Sequence, residues 1–415
     1  MRIVISNARL AVRAGSELAT LEVAEAHRRI GHEVAIFTLV RGELASTYTQ
    51  QSGVPVFGLA DRAALADFGP ELLHVHHWPT VVTLEWLGIV APWVIGFLGI
   101  HPPLENPPPL LPHCRVPWWT LNPIAEAQVS GIPGWGASPH LVVGNWFDDH
   151  GLTPTPVHAP ESIRRVLVVS NHFPESTYRS LVDVAAELGI DVTCVGLPGQ
   201  QAVVDRALLR QFDCVITLGR TALLAMATGT PVLVVDHFGA DGWVTPGAVD
   251  SMALHNFSGR WSALEPTHER FREWLLHPPS ADHLQQVQDW AMGRARLSTV
   301  LARLDALYAD PCTMAPSQVF GLGSLAVGEL LDHVELIRHH DAHHLVLERD
   351  QAIAQRDDAV AERAVAIAGR DQAVAEREQM GLLRDDALAQ RDALLNSRVW
   401  RSMEWYRRLR RRLSI

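Results

Sequence analysis

From residue 1 to about 310, short apolar runs alternate with stretches whose apolar residues recur every three or four positions. This alternation predicts βα units feeding a parallel sheet. The first unit reads as a strand over 2–6, a polar loop ending at Gly15, a helix over 16–30, Gly31 as its stop and a strand over 33–39. Further strands are expected at 54–58, 71–76, 93–98, 115–120 and 140–143. A helix is expected near 122–130, where Asn122 is the cap and Pro123 takes the first helical position. Residues 144–162 are rich in proline and turn formers and poor in apolar periodicity, which marks a linker. The pattern then restarts with strands over 165–170, 191–196, 213–218 and 231–236, separated by helices over 175–188, 201–210 and 220–228. Two tandem Rossmann-like, doubly wound α/β domains are therefore expected. The cleft between the carboxyl ends of their strands is where open α/β sheets hold ligands.

Beyond about 260 the pattern is helical, and from 349 it becomes strictly periodic. Arginine recurs every seven residues from Arg349 to Arg398, usually followed by an acid, with an apolar residue at the fifth place, as in Ile353, Val360, Ile367 and Val374. Seven heptads would span about 74 Å as a helix at 1.5 Å per residue. One of the two core positions of a coiled coil would then be charged, so weak self-association of a long helix is expected. The expected organisation is an N-terminal Rossmann-like domain over 1–150 and a second Rossmann-like domain over 163–260. Closing helices over 261–310, a linker and helix over 311–348, the heptad helix over 349–397 and a basic aromatic tail over 398–415 complete it.

Charge and composition narrow the chemistry. The chain has 415 residues, 47% of them hydrophobic, and a net charge of −11, which argues against nucleic acid as a partner. The tail carries seven Arg and one Glu, interleaved with Trp400, Trp405, Tyr406, Leu409 and Leu413. Such a helix suits an anionic membrane surface, or else stays solvated or bound to protein. Cys114, Cys194, Cys214 and Cys312 form no C-x-x-C pair, so neither a zinc site nor a disulfide framework is indicated, and a reducing cytoplasm fits. The N-terminus reads as a buried strand without a signal peptide's apolar stretch. Residues 81–100 are interrupted by Glu85 and Pro92, too early for a membrane span. All 35 basic residues other than histidine are arginine. A lysine Schiff base, a pyridoxal phosphate anchor and a Walker-type loop are thereby excluded, and any phosphate must be held by arginine, backbone N–H groups or helix ends. Genome bias, replacing lysine by arginine throughout, is the preferred explanation of the missing lysine and carries no functional meaning.

The main candidate for chemistry is Gly219-Arg220-Thr221, at a strand end and a helix start. Helix N–H groups, a guanidinium fork and a hydroxyl together suit a diphosphate. An ordinary strand-to-helix turn with a solvent-facing arginine is the competing reading. Two other clusters read as solvated: Asp148-Asp149-His150 as turn residues, and His339-His340 with His343-His344 as a helical face. No metal is expected.

The stretch from Gly219 to Asp236 resembles the donor segment of family 4 glycosyltransferases, retaining enzymes of the two-Rossmann GT-B fold. The likeness extends over roughly 1–310, and it implies that the 1–150 domain is the acceptor side and the 163–260 domain the nucleotide-sugar side. It includes Gly15-Ser16-Glu17, the helix ending at Arg29-Ile30-Gly31-His32, His74-Val75-His76-His77, Ile100-His101, Asn145-Trp146-Phe147-Asp148, Val169-Ser170-Asn171-His172 and Asp236 to Trp243. The resemblance implies that Gly15, Ser16, Asn171, Gly219, Arg220 and Thr221 hold a nucleotide-diphosphate sugar, with His101 facing the sugar as the catalytic residue and no cofactor beyond that donor. It departs at the family's glutamate pair, where Ile216 and Leu224 stand. Asp236 and Asp241 are the remaining candidate acceptors for ribose hydroxyls. The tail ending in Asn396-Ser397-Arg398-Val399-Trp400-Arg401 resembles those of bacterial surface-polysaccharide transferases. That likeness implies a glycan or lipid-linked acceptor and a peripheral place at the inner membrane face. The rival expectation is a catalytically impaired relative acting as a scaffold through its long helix, and a nucleotide-sugar epimerase is a third.

Overall fold

The computed structural model describes residues 1–321 except 12, 14, 100–103, 154, 158, 172 and 197–201, together with Leu388, Arg391, Arg407, Arg408 and Arg411. The chain divides into two units, Met1–Glu335 and Leu336–Ile415. In the second, the five described residues are helical; the heptad helix and basic tail otherwise lie outside the described residues, as do His101 and the 339–344 histidines.

In the first unit the chain runs through β1 (Arg2–Leu10), α1 (Gly15–Arg29), β2 (Glu33–Arg41), α2 (Glu43–Ser52), β3 (Val56–Phe57), α3 (Arg62–Phe68), β4 (Leu72–His76), α4 (Pro79–Trp86), β5 (Trp93–Phe97), β6 (Trp118–Thr120), α5 (Pro123–Ser130) and β7 (His140–Val142). These strands form a seven-stranded, all-parallel sheet in the order β3-β2-β1-β4-β5-β6-β7. The second half contains β8 (Arg165–Ser170), α6 (Glu175–Leu188), β9 (Asp191–Gly196), α7 (Arg206–Leu209), β10 (Cys214–Thr217), α8 (Gly219–Ala227), β11 (Val232–Asp236) and β12 (Gly239–Trp243), in the order β12-β11-β10-β8-β9. Then follow α9 (Val249–Leu254), α10 (His268–Leu276), α11 (Ala281–Arg294), α12 (Leu297–Tyr308) and α13 (Pro316–Phe320). Two tandem doubly wound Rossmann-like domains, the GT-B arrangement, are thus present.

Three local differences from the sequence reading have clear causes. β1 continues four residues past the expected end, because Asn7 finds partners on α1: its amide donates to the Ser16 carbonyl at 3.1 Å and to Thr20 Oγ1 at 2.8 Å. β6 is shorter than expected, since Pro117 has no N–H to give the ladder. The stretch after Asp236 turns back as β12, an antiparallel edge strand that periodicity did not signal, because it is built around Gly239 and Gly242 at φ of +117° and +80°.

The core is layered as the parallel sheets require. On one face of the first sheet, Ile3, Ile5, Val34, Ile36, Val94 and Trp119 pack against α1 and against Val300, Leu301 and Leu304 of α12. The closing helices therefore divide: α10 and α11 cover the second sheet, whereas α12 returns to the first. Gly96 on β5 makes room for the Trp119 indole, which a Cβ there would meet at 2.2 Å. The linker over 144–162 holds no helix or strand among its described residues, yet its start is pinned. Arg29 makes a two-pronged ion pair with Asp148 at 2.9 and 2.6 Å, and Asp149 accepts from the N–H and hydroxyl of Ser298 in the first turn of α12. The Asp148-Asp149 pair is thus a structural fastener rather than a solvated turn. No helix among the described residues is long and apolar enough to cross a membrane.

Candidate functional site

In each sheet the chain reverses direction of winding at one point, β1/β4 in the first and β8/β10 in the second. Ligand crevices of open α/β sheets lie outside the carboxyl ends of the strands there. At the second crevice stand Ser170 and Asn171 from the end of β8, Gly219, Arg220 and Thr221 from the start of α8, and Asp236 from the end of β11. At the first stand Gly15 and Ser16 from the start of α1, and His76 and His77 from the end of β4. The expected residues therefore fall into two groups on two sheets; His101 is outside the described residues.

Gly219 opens α8 in the left-handed region, at φ +58°, a conformation that favours glycine. Its N–H is taken by the Phe257 carbonyl at 3.1 Å. Arg220 and Thr221, both partly buried, form the first turn. The Arg220 guanidinium makes an ion pair with Glu22, which projects from α1 of the first domain. The Glu22 Oε2 accepts from the Trp146 indole N–H at 3.0 Å, and the guanidinium carbon lies 6.0 Å from the Trp146 ring centroid. Arg220 Nη1 is buried and meets no partner among the described residues. Nearby, the Asn145 amide donates to Asn256 Oδ1 at 2.8 Å. Asn256 and Phe257 hold left-handed φ values of 57° and 49°. Strain of this kind costs about 1–3 kcal/mol per residue and persists where the surroundings over-determine it.

The two candidate ribose acceptors are engaged by their own domain. Asp236 accepts from Ser170 Oγ at 2.6 Å and from the backbone and Nδ1 of His237 at 2.6 and 2.7 Å. Asp241 accepts from the N–H of Gly259 at 3.1 Å and from the N–H and hydroxyl of Ser262 at 2.8 and 3.1 Å, which fixes the 259–262 turn. Ile216 is fully buried inside β10, and Leu224, within α8, packs partly buried against the core. In the first domain Gly15 is exposed at the start of α1, and the Ser16 hydroxyl donates to Glu17 at 2.8 Å. Glu17 is completely buried and pairs with Arg9, so an acid occupies the first turn of this helix. Asn171 is exposed at the end of β8.

The His74-Val75-His76-His77 motif has two fates. His74 and His76 lie side by side in the sheet, fully buried, in a hydrogen-bonded chain of Thr20, His76, His74, Tyr308 and His27 with separations of 3.0, 2.9, 2.6 and 3.3 Å. Burial holds His27 down to about 4 and His76 down to about 3, and pushes His74 well below the ordinary histidine range. His77 sits beyond the strand in the left-handed region, at φ 67°. Its Nδ1 accepts from the Ala8 N–H at 3.2 Å, which places the ring proton on Nε2, 3.5 Å from Glu105 Oε1. Glu105 is 6% exposed, and its Oε2 meets no donor among the described residues. An unmatched buried polar atom costs about 1–3 kcal/mol and calls for an explanation.

Glu22 and Glu105 were not singled out from the sequence. The only signal for Glu22 was an acid inside the apolar run Leu18–Ala24, and for Glu105 nothing distinguished an acid in a proline-rich loop. No three His, Cys, Asp or Glu side chains among the described residues converge as a metal site. A cavity of about 420 Å³, lined by Thr155, Arg206, Arg210 and Thr228, lies where α8 ends, at the opposite end of the second sheet from the crevice.

No protein-family model matches the chain, and none of the curated proteins matches it either. Among solved structures, the chain is similar to a glycosyltransferase from Rickettsia africae at 12% identity, covering 74% of this chain and 98% of the other with a TM-score of 0.47. It is also similar to a sucrose-phosphate synthase from Thermosynechococcus elongatus at 13% identity, covering 74% and 98% with a TM-score of 0.43. MurG of Acinetobacter baumannii is a third, at 12% identity, covering 74% and 99% with a TM-score of 0.43.

Proposed function

We propose that this protein is a glycosyltransferase that moves a sugar from a nucleotide-diphosphate donor to a glycan or lipid-linked acceptor, with retention of configuration. The observation that carries the reading is Arg220: a guanidinium at the winding reversal of the second sheet, lying over an indole face, with one buried nitrogen that lacks a partner among the described residues. In such a setting a fixed cation stabilises the negative charge that builds on a departing diphosphate, the main term expected of a transferase that works without a metal. Arginine does this well, since its planar fork matches phosphate oxygens and it stays charged. The proposed setting is surface polysaccharide synthesis at the cytoplasmic face of the membrane, with residues 398–415 as the basic anchor and 349–397 as a weakly associating helix.

Calorimetric titration with UDP, dTDP, ADP and GDP tests the reading, together with hydrolysis of the corresponding nucleotide sugars. Binding of one diphosphate and release of its sugar supports it; no heat and no hydrolysis with any of them refutes it.

A second reading is favoured by the absence of a carboxylate in α8, where Leu224 packs on the core, and by the engagement of Asp236 and Asp241 within their own domain. In that reading the donor site is impaired and the protein is a scaffold. Leu224→Glu separates the two: a gain in nucleotide affinity indicates a decayed site, and a loss with destabilisation indicates a site adapted to leucine.

A further inference from the structure

The arginine on which the proposed function rests already carries an anion. Glu22 comes from α1 of the first domain, Trp146 from the segment after β7, and Arg220 from α8 of the second domain. One Glu22 oxygen pairs with Arg220 Nη2, and the other takes the Trp146 indole N–H at 3.0 Å. The side chains of Arg220 and Glu22 are only 18% and 26% exposed. A pair held this far from water is screened little by salt, so it is not an incidental surface contact.

A carboxylate and a phosphate compete for the same donors. The carboxylate spreads one charge over two oxygens, and here both are used while Arg220 Nη1 still lacks a partner among the described residues. A diphosphate brings more charge and more oxygens, enough to take Arg220 Nη2, Arg220 Nη1 and the indole N–H together. The partial exposure of Glu22 lets its side chain turn toward water once displaced. A nearby acid that was displaced but not removed would still repel the incoming anion.

We propose that Glu22 is an internal anion of this site, seated on Arg220 and Trp146 where the diphosphate of the donor binds, and that its displacement sets the affinity for phosphoanhydride ligands. The identity of the ligand as a nucleotide sugar rests on the function proposed above; the anion seat itself rests on the geometry. Because Glu22 and Arg220 belong to different domains, exchanging the partner of Arg220 also removes one tie between them.

The alternative role for Glu22 is to hold Arg220 in a productive orientation, and the two roles give opposite signs. The test compares wild type, Glu22→Gln and Glu22→Gln with Arg220→Gln, titrated with inorganic pyrophosphate and with UDP, dTDP, ADP and GDP, alongside thermal unfolding. The expected result is roughly tenfold tighter binding of pyrophosphate and of the cognate nucleotide by Glu22→Gln, and loss of that gain in the double variant. The ligand-free Glu22→Gln protein should melt lower, because Arg220 has lost its partner, while the upward shift caused by ligand should grow. Equal or weaker binding by Glu22→Gln overturns the proposal and assigns Glu22 to orienting Arg220. A gain for pyrophosphate with no binding of any nucleotide leaves the seat standing and refutes the nucleotide-sugar reading. No binding of any anion by any variant refutes both.

Discussion

Acidification should destabilise the first domain through its buried histidine chain, and the hydrogen-bond order shows why. Thr20 Oγ1 lies 2.9 Å from the Ser16 carbonyl and accepts from Asn7. With its proton given to that carbonyl, His76 must donate from Nδ1 to Thr20. His76 Nε2 then accepts from His74 Nε2–H, His74 Nδ1 accepts from the Tyr308 hydroxyl, and the Tyr308 oxygen accepts from His27 Nε2–H. The atom left over is a bare nitrogen on His27, and His27 Nδ1 is indeed buried without a partner among the described residues. Every other ring nitrogen in the chain is committed, so a second proton on His76 meets the His74 Nε2–H and one on His74 meets the Tyr308 hydroxyl proton, unless the donors along the chain reverse toward His27. Burial adds to this, and holds His76 down to about 3 and His27 down to about 4.

The sign follows from linkage. Below about pH 6.5 the unfolded chain protonates these three histidines and the folded chain does not, so stability falls as pH falls. Each contributes about 1.4 kcal/mol per pH unit in that window. Between pH 7.5 and 5.5 the three together should remove about 4 kcal/mol, a large share of the 5–15 kcal/mol typical of a folded protein. Urea unfolding at pH 7.5, 6.5 and 5.5, followed by circular dichroism and tryptophan emission, measures this. Trp119, with its ring centroid 5.6 Å from both His74 and His76, reports on the region directly. His27→Gln should cut the pH slope by about a third while leaving its sign. A stability constant to within about 1 kcal/mol from pH 7.5 to 5.5 would refute the reasoning, because it would require the buried rings to titrate as freely as in the unfolded chain.

Three further outcomes are expected. Glu105→Gln removes a buried charge but keeps an acceptor for His77, so its thermal midpoint should stay level or rise; a loss above about 1 kcal/mol would show that the charge itself supports the fold. Asp241→Ala strips the Gly259 and Ser262 N–H groups of their acceptor and should cost about 2 kcal/mol in urea unfolding, with no change in the first domain's pH response. A peptide spanning 340–397 should be helical by circular dichroism yet monomeric or weakly associated by sedimentation; a tight oligomer would contradict the charged-seam argument.

What was legible in the sequence follows from how far each signal acts along the chain. Alternating apolar runs and helix periods are local, so two parallel α/β sheets and most of their elements could be read directly, and Asn122 capping α5 through its side chain at 3.0 Å matches the local cap signal. Gly219-Arg220-Thr221 could be placed at a strand-to-helix turn for the same reason. Packing between distant segments was decided only by the tertiary structure. Nothing near residue 22 indicates that its carboxylate meets Arg220, nothing near 301 shows that α12 crosses back to the first sheet, and the role of Asp241 depends on a turn some twenty residues away. The histidines show both sides of this. Their alternation in β4 placed His74 and His76 on one face of a strand, but only the arrival of Tyr308 and α1 on that face made them a neutral, buried chain. Periodicity along the sequence sets which face a residue takes, and the folded chain alone sets which charge or hydrogen-bond partner waits there.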